Sequence, residues 1–210
     1  IEIGAHIINM SLGMGSNIPI VGVLKKACDR ATAAGITIVA ASGNEAGAVG
    51  QPAKYDSCIA VASVNKKLER SKFSNYGPEI KYAAMGDQSY STWLKNGYTR
   101  LRGTSMASPI VAGILALIQA DHMQDHDGKA LTPVQLIDKA DKIAFDIGYK
   151  GFDNKTGHGI LKFGEQGPVS PPPEDEPNGK AKSFGTCPQL QIAEVIAHQI
   201  WKGLQGLRKT

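Results

Sequence analysis

Two apolar runs limit the folds open to this chain. "ITIVAA" (36–41) and "CIAVASV" (58–64) are β-branched or small at nearly every position. A strand with one wet face alternates apolar and polar residues. An unbroken run suits a strand covered on both faces, as in a parallel sheet. The segments between such runs must then supply the covers.

They read that way. "NIPIVGVLKKACDRATAAG" places Val21, Leu24, Ala27, Cys28, Ala31 and Ala34 at helical spacing, with Pro19 near the start and Gly35 as a stop. "HIINM" (6–10) reads as a strand entering a glycine loop, "IKYAA" (80–84) as another strand, and "YTRLR" (98–102) alternates before Gly103. A long helix is predicted over 104–120. A second opens at "TPVQLIDKA", where Thr132, Pro133 and Gln135 take the N-cap, N1 and N3 places of a capping box. The alternation predicts a three-layer α/β sandwich around a mostly parallel sheet.

The 210 residues suit one domain with an appendage, and 42% hydrophobic content supports a real core. A net charge of +4 with scattered lysines and no aromatic-laced basic stripe argues against nucleic acid. The most apolar stretch, 106–118, is broken by Ser108 and Pro109 and is too short to span a bilayer. Cys28, Cys58 and Cys187 form neither a disulfide framework nor a zinc pattern. The first two fall on a helix and a buried strand, which predicts free, buried thiols. Composition shifts near residue 165, predicting a domain over 1–164, a Pro-, Gly- and acid-rich linker over 165–182 and an amphipathic helix over 183–210. That helix would dock on its own domain or on another subunit through Ala193, Ile196, Ile200, Leu204 and Leu207. The start at Ile1, without Met or a leader, suggests a processed or engineered product or a piece of something longer.

Chemistry centres on "RGTSMASPIVAG". Ser105 stands at the mouth of the long helix, where unpaired N–H groups and the positive dipole end suit an oxyanion. Helix capping would explain a lone serine there equally well. The five residues from Gly103 to Ala107 also lack the second glycine of the α/β-hydrolase elbow. Likewise, Asn44 taken alone is an ordinary turn residue after a strand.

Three segments read together carry more. "INMSLG" (8–13), "VAASGNEAG" (39–47) and "GTSMASP" (103–109) resemble, in order and spacing, the subtilisin-like serine proteases, as do "QPAKYDSCIAVASV" and "SKFSNYGPEI" between them. The resemblance runs from about residue 6 to 160. It implies a subtilisin-like fold, with Ser105 as the nucleophile of an acyl-enzyme and Asn44 as oxyanion donor beside the Ser105 N–H. It also implies a polypeptide substrate paired along Ser11, Leu12 and Gly13, and a pocket walled by Ala41, Ser42 and Gly43 with Gly50 near its base; Thr104 joins this set. Small residues there predict a roomy pocket of broad or apolar preference. No cofactor is needed for the chemistry. The family's use of structural Ca2+ and its habit of secretion carry over only as resemblance, since no ligand set or leader is legible.

The base and its orienting carboxylate are missing. In this family the order is Asp, His, Ser, with the His roughly 150 residues before the Ser. Only 104 residues precede Ser105, and the one histidine among them, His6, opens a strand outside the family's histidine motif. His158 follows the serine, and His122 and His126 share the i, i+4 spacing of a zinc helix without its glutamate. Their stretch half-resembles a calcium loop, but Met123 and Val134 occupy ligand places, so it reads as a polar helix end. The expectation is therefore the C-terminal part of a catalytic domain, incomplete on its N-terminal side. It would be inactive and aggregation-prone alone, needing an N-terminal fragment that carries Asp and His. The alternative is an inactive scaffold or peptide-binding module of the same fold. A dinucleotide-binding reading is poor, because "GNEAG" is not G-x-G-x-x-G.

Overall fold

A computed structural model describes residues 1–14, 21–94 and 97–164, within a compact unit spanning Ile1–Phe163. The predicted linker and amphipathic tail, Cys187 and Pro19 lie outside the described residues. The elements in order are β1 (Ile7–Met10), α1 (Val21–Ala33), β2 (Thr37–Ala41), β3 (Cys58–Val64), β4 (Ile80–Met85), β5 (Ser89–Trp93), β6 (Gly97–Leu101), α2 (Thr104–Asp125), α3 (Pro133–Lys142), β7 (Ala144–Phe145) and β8 (Ile160–Leu161). Six strands form one sheet in the order β1-β2-β3-β4-β8-β7, with parallel pairing from β1 through β8 and β7 antiparallel at the edge.

The apolar runs occupy the sheet's centre. All of β2 is buried, and so is β3 after its first residue. Ile38 packs with Cys28 and Ala31 of α1, while α2 lies along β1 to β4. Helix α1 stops in a Schellman motif: the Gly35 N–H bonds the Thr32 carbonyl, the Ile36 N–H bonds that of Ala31, and Gly35 takes φ +86. The capping box of α3 forms as its sequence predicts. The Thr132 hydroxyl accepts the Gln135 N–H, and the Gln135 side chain accepts the Thr132 N–H.

Helix α2 runs past residue 120 to Asp125, so the polar helix end read at "DHMQDHDG" comprises residues 121–125 and a turn over 126–128. By length and composition α2 could cross a membrane. Instead its buried residues, including Thr104, Ser108 and Gln119, make it the core helix of this sheet. Strand β6 is half of a hairpin with β5, which polar "SYSTW" does not announce; stacked Tyr90 and Tyr98, 5.5 Å apart, hold the pair. The two-residue β7 is too short for any periodicity to reveal.

A polar pair ties β4 to α3. Asp141 accepts from Lys81 Nζ at 2.8 Å and from the buried Tyr82 hydroxyl at 2.7 Å. Burial opposes ionisation of Asp141, but those two hydrogen bonds outweigh it and hold its carboxyl below the usual range, while burial and the Asp141 carboxylate push the Tyr82 hydroxyl up. Replacing Asp141 by Ala strands the Tyr82 hydroxyl and is expected to cost about 1–3 kcal/mol. A depressed carboxyl contributes stability that is present above about pH 4 and lost as pH falls through its folded value. Urea midpoints of wild type and Asp141→Ala should therefore converge on acidification below pH 4.

The structure leaves Cys28 buried and Cys58, predicted buried, only half-buried, both as free thiols. Burial pushes the Cys58 thiol up to about 12 and raises that of Cys28. Since thiolate is the nucleophile, iodoacetamide at pH 8 should leave both unmodified in the native protein and alkylate both in guanidinium, as read by peptide mapping.

Candidate active site

In a parallel sheet the strand C-termini share one edge, where ligands bind. The segment after β1 (Ser11 to Gly13), the turn after β2 (Ser42 to Asn44) and the start of α2 converge there. Between them lies a cavity of about 380 Å³, whose lining includes Leu12, Gly13, Ala41, Gly43, Asn44, Gly50, Thr104 and Ser105. Residues far apart in sequence thus meet through the topology alone.

Ser105 is not the cap of α2. The N-cap is Gly103, at φ 153 and ψ 155, a region essentially restricted to glycine, and no side chain caps the helix from that residue. Ser105 falls within the first turn, half-buried, where its N–H has no partner inside the helix. Its hydroxyl donates to the Ser11 carbonyl at 3.3 Å. An amide carbonyl orients a hydroxyl but is far too weak a base to deprotonate it.

Pro109 has a local consequence. Lacking an N–H, it cannot bond the carbonyl of Ser105 four residues back. The Ser11 hydroxyl donates to that carbonyl at 2.8 Å and also meets the Ser108 hydroxyl at 3.1 Å. The proline and the serine of "SLG" therefore belong together: one frees an acceptor and the other fills it. This joins the strand edge to the turn that carries Ser105.

Asn44 is oriented by Thr104. Its Oδ1 accepts from the Thr104 N–H at 2.8 Å and from the Thr104 hydroxyl at 3.1 Å, while that hydroxyl accepts the Gly43 N–H at 3.1 Å. With the oxygen committed inward, Asn44 Nδ2 remains as a pair of donors on the exposed side. An amide donor and a free helix N–H flanking a hydroxyl can stabilise negative charge on a carbonyl oxygen held at Ser105.

Two residues of the predicted set stand apart from the cavity, and a third is fixed in its wall. Ser42 is fully buried, because side chains alternate along the extended chain leaving β2; only its neighbours Ala41 and Gly43 line the space. Ser11 faces α2 through the hydrogen bonds above. Thr104 is fully buried and holds Asn44. The sequence reading missed Glu45 and Lys54, which add charge to the lining, and Asn75, which reaches it from beyond β3. Nothing local in "FSNYG" announces that Asn75 folds back onto the turn after β2.

The Subtilase family profile matches residues 1–159. The chain belongs to the subtilase family. This subtilase is 49% identical to Subtilisin DY of Bacillus licheniformis over 120 residues, which is 55% of this chain and 43% of that one. It is 36% identical to the Minor extracellular protease Epr of Bacillus subtilis over 162 residues, covering 76% of this chain and 24% of the relative. The chain thus spans less than half the length of these curated relatives. A solved lanthipeptide protease matches its fold with a TM-score of 0.71 at 24% identity, covering 76% of this chain and 60% of that one.

Among the described residues no histidine stands beside Ser105 of this subtilase. His6 precedes β1 and is separated from Ser11 by about 16 Å of extended chain. His122 and His126 lie at the far end of α2, about 25 Å and about 31 Å along the helix from Ser105, with their rings stacked 3.8 Å apart. His158 packs against Phe152 and Tyr82 beside β4. Among the described residues no three His, Cys, Asp or Glu side chains gather in one place.

Proposed function

We propose that this subtilase chain supplies the nucleophile, oxyanion site and substrate-binding edge of a serine endopeptidase, and that its Asp and His come from a segment outside these residues. The carrying observation is the Asn44 amide, turned outward by Thr104, beside the Ser105 hydroxyl and the first turn of α2. An extended polypeptide lies against Ser11 to Gly13, forming main-chain hydrogen bonds as an added strand. Ser105 Oγ attacks the scissile carbonyl carbon while the supplied histidine takes its proton. Asn44 Nδ2 and the Ser105 N–H hold the oxyanion. The C–N bond then breaks as the histidine protonates the leaving amine. Water, deprotonated by the same histidine, cleaves the ester, releases the acid and restores Ser105.

The cavity walls of Ala41, Gly43 and Gly50 favour uncharged side chains of varied size before the cut. The relatives' names place at least one outside the cell, and we assign this protein the same site of action. An inactive scaffold would need neither the oriented amide nor the hydroxyl beside it. Mixing the chain with an Asp- and His-bearing N-terminal segment of a subtilase, or fusing the two, should give fluorophosphonate labelling at Ser105; the chain alone should label negligibly. Failure of the folded assembly to label would reject the proteolytic reading.

A further inference from the structure

The turn that carries Asn44 is held by a residue from another part of the chain. Asn75, between β3 and β4, is 2% exposed and uses both ends of its amide. Its Oδ1 accepts the Glu45 N–H at 2.9 Å and the Gly47 N–H at 3.1 Å. Its Nδ2 donates to the Ser42 carbonyl at 3.1 Å and to Glu45 Oε2 at 2.9 Å. Its own N–H bonds the Gly43 carbonyl at 3.0 Å. Glu45 Oε2 in turn accepts the Asn44 N–H at 2.9 Å. The backbone on both sides of Asn44 is therefore anchored to one buried amide.

The turn is shaped around that amide. Gly43 adopts φ +109, and a Cβ there would collide with Asn75 Nδ2 and lie 2.8 Å from Glu45 Oε2. Only a planar group with two acceptor directions and two donors satisfies this set of partners. An aspartate would turn an oxygen toward the Glu45 carboxylate, and a serine could not reach both sides.

We propose that Asn75 is a positioning residue for the oxyanion donor, fixing Asn44 from behind through Glu45 while Thr104 orients it from the front. This rests on the acyl-transfer reading of the site. Displacing a donor by about 1 Å can cost up to about a hundredfold in rate, so the effect should fall on kcat.

The test uses the complete enzyme and a peptide p-nitroanilide. Asn75→Ala should lower kcat about ten- to a hundredfold with KM within about twofold. In an Asn44→Ala background the same change should lower kcat no further, because the amide it positions is gone. Glu45→Ala, at an exposed side chain that folding tolerates, should show a smaller loss with the same dependence on Asn44. A full, multiplicative loss in the Asn44→Ala background would overturn the proposal. Amide hydrogen exchange reads the same role without turnover. Asn75→Ala should speed exchange at Glu45 and Gly47 about five- to tenfold, the protection of one ordinary hydrogen bond, while β3 keeps its protection. Unchanged exchange at both amides would also overturn it. If wild-type enzyme neither labels nor hydrolyses, the proteolytic reading fails and the exchange result alone decides whether Asn75 holds the turn.

Discussion

Ser105→Ala in the complete enzyme is expected to abolish fluorophosphonate labelling and to lower kcat about a million-fold, the magnitude known for a subtilisin that loses its serine. The reason is covalent. Without Oγ no acyl-enzyme forms, and only the oxyanion site and substrate binding remain to assist water. Binding of a peptide aligned along Ser11 to Gly13 should survive, since the main-chain edge is untouched. Hydrolysis with labelled peptide and intact-mass analysis of the probe adduct read the two effects separately. Undiminished turnover in the alanine variant would place the nucleophile elsewhere.

Asn44→Ala should lower kcat about 10²–10³-fold with KM little changed, again the magnitude known for the corresponding subtilisin donor. In the proposed mechanism Asn44 Nδ2 meets charge that exists only once the carbonyl has been attacked, so its loss would raise the barrier without weakening ground-state binding. The substitution also leaves the Thr104 N–H and hydroxyl without their acceptor. Thr104 is fully buried, so a modest loss of stability should accompany the rate effect. Steady-state kinetics and a urea titration separate the two. A rise in KM with unchanged kcat would show that Asn44 binds substrate and not the oxyanion.

Much of this was legible from short-range pattern. The runs around Val39 and Val61 announced covered strands, Gly35 announced a helix stop, and Thr132 to Gln135 announced a capping box, because each depends on residues within one or two turns. "GTSMASP" with "SGN" pointed to the proposed nucleophile and its proposed oxyanion partner through family likeness. Hidden were features whose cause lies at long range: β5, whose polar residues pair with β6, and the burial of Ser42.

By itself, the sequence determined the class of fold and the family, and it named the groups proposed to react. Periodicity follows from backbone geometry, and a hydroxyl carries its chemistry in its own atoms. Orientation was decided only by the tertiary structure. Ser105 came to rest on the Ser11 carbonyl, Pro109 left an acceptor for the Ser11 hydroxyl, and Asn75 gripped the turn behind Asn44. Each of these contacts joins segments brought together by parallel strands ending at one edge. Hydrogen bonds act over about 3 Å, and no local pattern specifies which distant partner will arrive within that distance.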